Sequence, residues 1–196
     1  MAINVNVKIY SKMSANELTK EFTAEDGKLD TGSLNACAAA LSAALFQKAV
    51  SLLPQQDSER TLWLLRNGEI LRAYFVHMID DDPKARKGYL KELAEGNEDN
   101  AEAAMHPACA INEEVINMLH QMLELLVEVK NALPEESRHY AVESAQLALG
   151  AIKSARSWLL NLTSRSLDET YRFVVRRENE LTMESVMKLY EEIVDG

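Results

Sequence analysis

Cysteine is scarce in this chain. Cys37 and Cys109 are the two it has, far apart and in no paired spacing. No disulfide framework is expected, and the usage fits a reducing, cytoplasmic setting. Seven glycines and four prolines exclude a loop-rich or low-complexity chain. No apolar run reaches about 18 residues without a charge, so no membrane span is expected. The opening MAINVNVKIYSK lacks a basic region followed by an apolar core and does not read as a signal peptide. Basic residues are also in deficit: 21 Lys and Arg stand against 31 Asp and Glu, a net charge of −10. Neutralising a phosphate backbone takes clustered cations, so nucleic acid is not an expected partner. A small anionic ligand needs only a local positive site. Lys153, Arg156, Arg165, Arg172, Arg176 and Arg177 do gather near the C-terminus; solvated helix faces paired with nearby Glu account for most of them.

Several chemical signatures are missing as well. There is no HExxH or other zinc spacing. One E-x-x-H occurs, Glu136 to His139, where a di-iron bundle needs two. Asp80, Asp81 and Asp82 lack the alternating spacing of an EF-hand loop, so no metal is expected. Walker A, G-x-G-x-x-G and G-x-S-x-G motifs do not occur. Cys37, inside an Ala-rich helix, and Cys109, just after Pro107, read as small packing residues.

What the chain has is helical periodicity. Its 196 residues, 47% hydrophobic, suffice for a sizeable core. Ile3, Val5, Val7 and Ile9 alternate with polar residues and predict one short strand in an extended arm over residues 1–12. Ser14 to Glu17 forms a capping box, predicting a short helix to about Glu25. A helix from Ser33 to about Leu53 ends at Pro54. The next starts at Asp57 or Ser58 and runs to about Asp80. The Asp80–Pro83 run breaks or kinks the chain, with Asp82 capping a new start at Pro83. Residues 84–104 read as one or two peripheral helices, and His106-Pro107 opens a long helix to about Leu133. Along it Val115, Met118, Met122, Leu126, Val129 and Leu133 form a stripe, which Leu119, Leu123 and Val127 widen. From Ala141 a narrow seam follows: Ala141, Ala145, Ala148, Ile152, Ala155, Leu159, Leu162. Ser166 to Glu169 is a further capping box, and Thr182 can cap a last helix. The expectation is all-α: a single domain over residues 1–196, a bundle of seven to nine helices.

The segment from Asp30 to Leu53 is the most unusual in composition. Thr31, Gly32 and Ser33 read as a turn opening a helix full of small residues. Leu34, Ala38, Leu41, Leu45, Ala49 and Leu52 recur at threes and fours and predict its buried face. Its first N–H groups and dipole form an anion seat in one reading. In the other it is an Ala-rich core helix whose start binds its own cap. Residue chemistry leaves both open.

The order of these features resembles the cyclodeaminase/cyclohydrolase family: the C-terminal domain of formiminotransferase-cyclodeaminase and free-standing methenyltetrahydrofolate cyclohydrolases. The likeness covers about residues 15 to 170. The family's glycine-rich opening turn corresponds to Leu29-Asp30-Thr31-Gly32-Ser33, which keeps one glycine and the serine. Its Asp-x-Asp-x-x-Ala is present as Asp80, Asp82 and Ala85. Pro107 matches the proline of the middle helix, and Asn161-Leu162 the late asparagine-leucine pair. The serine-aspartate before the late Ala-rich helix is replaced by Ser137-Arg138-His139-Tyr140. The resemblance implies a dimeric all-helical fold and folate-linked one-carbon chemistry without a metal, as a cyclodeaminase or a cyclohydrolase acting on a tetrahydrofolate derivative. It implies that Asp80 and Asp82 orient the pterin or move protons, and that Gly32 and Ser33 hold an oxygen or carboxylate. Lys153 or Arg156 would meet a glutamate tail, and Asn161 would join the binding site. The alternative is a degenerate family member acting as a non-catalytic binding or interaction protein.

Overall fold

A computed structural model describes residues 9–25 and 27–196. Among them are six α-helices and no strand: α1 (Ala15–Thr23), α2 (Thr31–Val50), α3 (Glu59–Glu95), α4 (Glu98–Ala132), α5 (Arg138–Thr163) and α6 (Glu169–Asp195). The predicted strand falls outside the described residues except for Ile9, which precedes a 3-10 turn at Tyr10–Lys12.

The all-α expectation holds; the count of seven to nine helices does not. Three predicted breaks are absent. α3 continues through Pro83 to Glu95, α4 starts at Glu98 and runs through Pro107, and α6 runs through Thr182. Residues 84–104 are therefore the end of α3 and the start of α4. An internal proline costs a helix roughly 3 kcal/mol. Burial on both sides offsets that cost: Phe75, Met78, Ile79 and Asp82 before Pro83 and Tyr89 after it are all buried. Pro107 sits on an exposed face, where carbonyls without a helical partner reach water. The actual caps are Ser14 in its capping box, Ser58, Asn97 and Asp168, each accepting a first-turn N–H. Gly96, in the left-handed region at φ 71°, ends α3 where a glycine is favoured.

Helix α2 packs against α3, α5 and α4; α4 also packs on α3 and α5, and α6 closes over α4 and α5. The seam predicted on α5 is real: Ala141, Ala145, Ala148, Ile152, Ala155 and Leu159 are fully buried. The α4 stripe is also in the core, with Val115, Leu119, Met122, Leu123 and Leu126 inaccessible.

The face assigned to α2 is a correction. Leu34 and Leu41 are 51% and 56% exposed, whereas Ala36, Ala39, Ala43, Phe46 and Val50 are buried; of the predicted face, Ala49 is the residue that is buried. With three helices crowding α2, small side chains face inward because bulk would hold the backbones apart. The closeness is visible in two contacts. Ser42 Oγ donates to the Ser144 carbonyl at 2.7 Å, and Ser144 Oγ donates back to the Ser42 carbonyl at 2.8 Å. At Gly68 on α3 an added Cβ would sit 2.6 Å from Gln47 Cγ and 3.0 Å from Phe46 Cδ1.

Candidate functional site at the start of helix α2

The first turn of α2 meets the middle of α3. Asp82 is buried there, 2% exposed. Its Oδ2 accepts from the Ser33 backbone N–H at 3.0 Å and from the Ser33 hydroxyl at 2.9 Å. The anion seat anticipated at this helix start is thus filled by the chain's own carboxylate, which does not cap a helix at Pro83. Gly32 makes the approach possible: a Cβ there would come within 2.5 Å of Asp82 Cγ, and closer still to Oδ1. Burial raises the Asp82 pKa above the usual carboxylate range. The Ser33 hydrogen bonds oppose that shift, the Asp30 charge adds to it, and Arg86 works against it.

The neighbouring aspartates point elsewhere. Asp80 accepts from the Tyr10 N–H at 2.6 Å, the Ser11 N–H at 3.3 Å and the Ser11 hydroxyl at 2.5 Å. It anchors the segment ahead of α1 to α3. Asp81 pairs with Lys84 at 2.8 Å on the exposed side. One aspartate of the run faces the start of α2, one the chain's N-terminal turn and one solvent.

Beside Asp82, Asp30 makes no capping hydrogen bond to α2 but pairs with Arg86 Nε at 3.1 Å. This ion pair forms one wall of a cavity of about 210 Å³, shared with Tyr89, Trp158, Asn161 and Arg165. A second cavity of about 220 Å³ shares Tyr89 and Arg165 with it and continues towards Glu98, Glu102 and Met105. The two adjoin at Tyr89 and Arg165 as neighbouring parts of one cleft, each by itself smaller than the usual small-molecule site. A larger cavity, about 320 Å³, lies around Leu53, Pro54 and Thr61. That is beyond the far end of α2, about 30 Å from Asp82 by helix rise, so size does not decide the site.

Of the residues singled out in the sequence, Gly32, Ser33 and Asp82 are in contact, and Asn161 lines the cleft next to them. Lys153 is exposed on α5. Arg156 is half-buried, its Nε buried and without a hydrogen-bond partner among the described residues; neither residue lines the cleft. Sequence reading did not select Arg86, Tyr89 or Trp158. Arg86 is four residues after Asp82 and Tyr89 three after that, a spacing that shares one face once α3 is known to pass Pro83. Trp158 is three before Asn161 on α5. Two buried amides also escaped notice: Asn35 Nδ2 donates to Asn112 Oδ1 at 3.0 Å, and Asn112 Nδ2 has no partner among the described residues. Among the described residues no three His, Cys, Asp or Glu side chains converge as a metal would require, and no helix is long and apolar enough to cross a membrane.

The solved structures include a close counterpart. The crystal structure of formiminotetrahydrofolate cyclodeaminase from Thermotoga maritima at 2.80 Å superposes with a TM-score of 0.87, covering 93% of this chain and 94% of that one. The fold is that of a cyclodeaminase. Sequence identity is 14%, so the likeness is one of fold. No family model matches the chain, and no curated protein matches it by sequence. The fold is thus shared with little sequence in common.

Proposed function

We propose that the protein is a folate-linked one-carbon enzyme, a formimidoyltetrahydrofolate cyclodeaminase or a methenyltetrahydrofolate cyclohydrolase. One observation carries the reading: in a chain with the cyclodeaminase fold, the motif residues Gly32, Ser33 and Asp82 meet beside the cleft that Asn161 lines. In this reading the pterin stacks on Trp158 and hydrogen-bonds Asn161. Arg86 and Arg165 take the ligand's carboxylate, and Arg86 leaves Asp30 to do so. That exchange opens a path to Asp82, whose raised pKa suits proton transfer. The cyclodeaminase reaction closes the methenyl bridge as ammonia leaves the formimino carbon. The cyclohydrolase reaction adds water to the same carbon and opens the bridge. Each needs a proton moved at a positioned group. Asp80 serves by holding the N-terminal turn against α3.

The test follows methenyltetrahydrofolate absorbance with purified protein. Its appearance from formiminotetrahydrofolate, or its decay faster than in buffer, is the expected result. A folate-dependent rise in melting temperature without turnover would favour the non-catalytic binding protein. Neither turnover nor stabilisation would remove folate altogether.

The same reading includes a homodimer. Supporting it, Leu34 and Leu41 are exposed and Ala38 and Leu45 half-buried, all on one face of α2 at helical spacing. Sedimentation should give twice the chain mass, and Leu41→Glu, a charge on that face, should give the monomer. A monomeric wild type would refute the dimer.

A further inference from the structure

The last turns of α5 meet the first turns of α6 around a cavity of about 310 Å³, which reaches the usual small-molecule range of about 300–1,000 Å³. Leu160 lines it from α5, and Arg172, Phe173 and Arg176 line it from α6. The cleft takes Trp158, Asn161 and Leu162 from the same stretch of α5, so the two cavities lie on opposite sides of one helix. Thr163 and Ser164 also reach this cavity, but their hydroxyls already donate to the Leu159 and Asn161 carbonyls at 2.9 and 2.7 Å. The two guanidiniums are therefore its available side-chain donors. Arg172 is held in place, donating to the Ser166 carbonyl and, at 3.3 Å, to Glu169. Arg176 has no ion-pair partner among the described residues. Glu180, four residues on, turns its carboxylate to Arg177 instead, at 3.4 Å. Glu169 also lines the cavity, so two cations against one carboxylate leave the wall positive in a chain of net charge −10. The C-terminal end of α5 and the N-terminal end of α6 both border it with opposed dipoles, and the arginines set the sign. Phe173, at 69%, is the most exposed large apolar side chain among the described residues.

We propose that this cavity binds a small aromatic phosphate monoester, its phosphate on Arg172 and Arg176 and its ring against Phe173 and Leu160. Guanidinium forks pair with carboxylates and phosphates alike. Two of them one turn apart match a dianion with three terminal oxygens better than a carboxylate, which offers two oxygens and a single charge. A phosphate monoester is close to that dianion at neutral pH, its second pKa being about 6. The ring follows from the apolar wall: a bare phosphate ion would leave Phe173 and Leu160 uncovered, whereas a flat ring stacks on the exposed phenyl face. Occupancy ties α6 to α5 and stabilises the folded chain. The site stands apart from the folate reading, since it shares no lining residue with the cleft.

The experiment is calorimetric titration of the full-length protein with phenyl phosphate, inorganic phosphate and benzoate in turn, at fixed ionic strength. Phenyl phosphate should saturate a single site and displace inorganic phosphate, which binds more weakly. Arg176→Gln should weaken phenyl phosphate by about tenfold or more. Arg177→Gln, one residue on but paired with Glu180, should leave it unchanged. Phe173→Ala should weaken phenyl phosphate and spare inorganic phosphate. All three side chains are exposed, so the variants should fold as the wild type does. Failure of phenyl phosphate to saturate by about 10 mM would overturn the proposal. So would equal losses in Arg176→Gln and Arg177→Gln, the attraction then being one of general surface charge. Benzoate binding as tightly as phenyl phosphate would overturn the assignment of the phosphate, and inorganic phosphate binding as tightly would overturn that of the ring.

Discussion

Asp82→Asn should abolish most turnover while leaving the fold intact, and the two effects should separate cleanly. General acid–base groups contribute about 10²- to 10⁴-fold to rate. An amide in place of Asp82 keeps an oxygen for the Ser33 N–H and hydroxyl but cannot exchange a proton near neutrality. A rate loss of about 10²-fold or more is expected in the absorbance assay. Stability should move the other way. The folded-state pKa of Asp82 is raised above its ordinary value of 3.8, chiefly by burial. A carboxyl with a raised pKa contributes stability that is present below 3.8 and lost as pH rises through the folded-state value. The asparagine variant has no such loss. Its melting temperature should therefore gain on wild type as pH climbs through that window, and the gap should level off above it. Asp82→Ala is the contrasting control, since it strands the buried Ser33 N–H and should cost about 1–3 kcal/mol at all pH values. A wild type and an asparagine variant with parallel pH–stability curves would show that folding does not raise the Asp82 pKa. Unchanged turnover in Asp82→Asn would remove it from the chemistry.

How far these side chains could be read in advance differs from one to the next. The α5 seam was legible because alanines at threes and fours report only one thing, a helix packed close. The α2 face was not. There the leucines and the alanines both recur at helical spacing, and the choice between them rests on how many neighbours crowd the helix, which is a tertiary fact. With α3, α4 and α5 all against α2, the small face goes in. The Asp80–Pro83 run misled for a related reason. A proline after three aspartates satisfies every local rule for a break, yet packing of Phe75, Met78 and Tyr89 across it holds one helix together. That continuity places Asp82, Arg86 and Tyr89 on one face and so builds the cleft. The pairing of Ser33 with Asp82 spans 49 residues. Two separate motifs pointed to its ends, but nothing in local spacing shows that one occupies the other.

Gly32 is where this pairing is most exposed to a single substitution. It is fully within the helix, with no positive φ to require a glycine; the requirement is space. A methyl at residue 32 would have to share the volume of the Asp82 carboxylate. Either α2 shifts away from α3 or Asp82 swings out of its hydrogen bonds. Overpacking of this kind costs about 1–3 kcal/mol, and losing the Ser33 contacts adds to it. Gly32→Ala should therefore lower the melting temperature and depress turnover together. Glycine-to-alanine within a helix otherwise stabilises by roughly 0.5–1 kcal/mol, so the sign of the effect is itself diagnostic. The decisive measurement is a double-mutant cycle with Asp82→Ala. If the clash is with that carboxylate, truncating it makes room for the methyl, and the double variant should be more stable than the two single losses predict by about 1 kcal/mol or more. Additive losses would mean that Gly32 answers to some other neighbour, and that the start of α2 does not hold Asp82 in place.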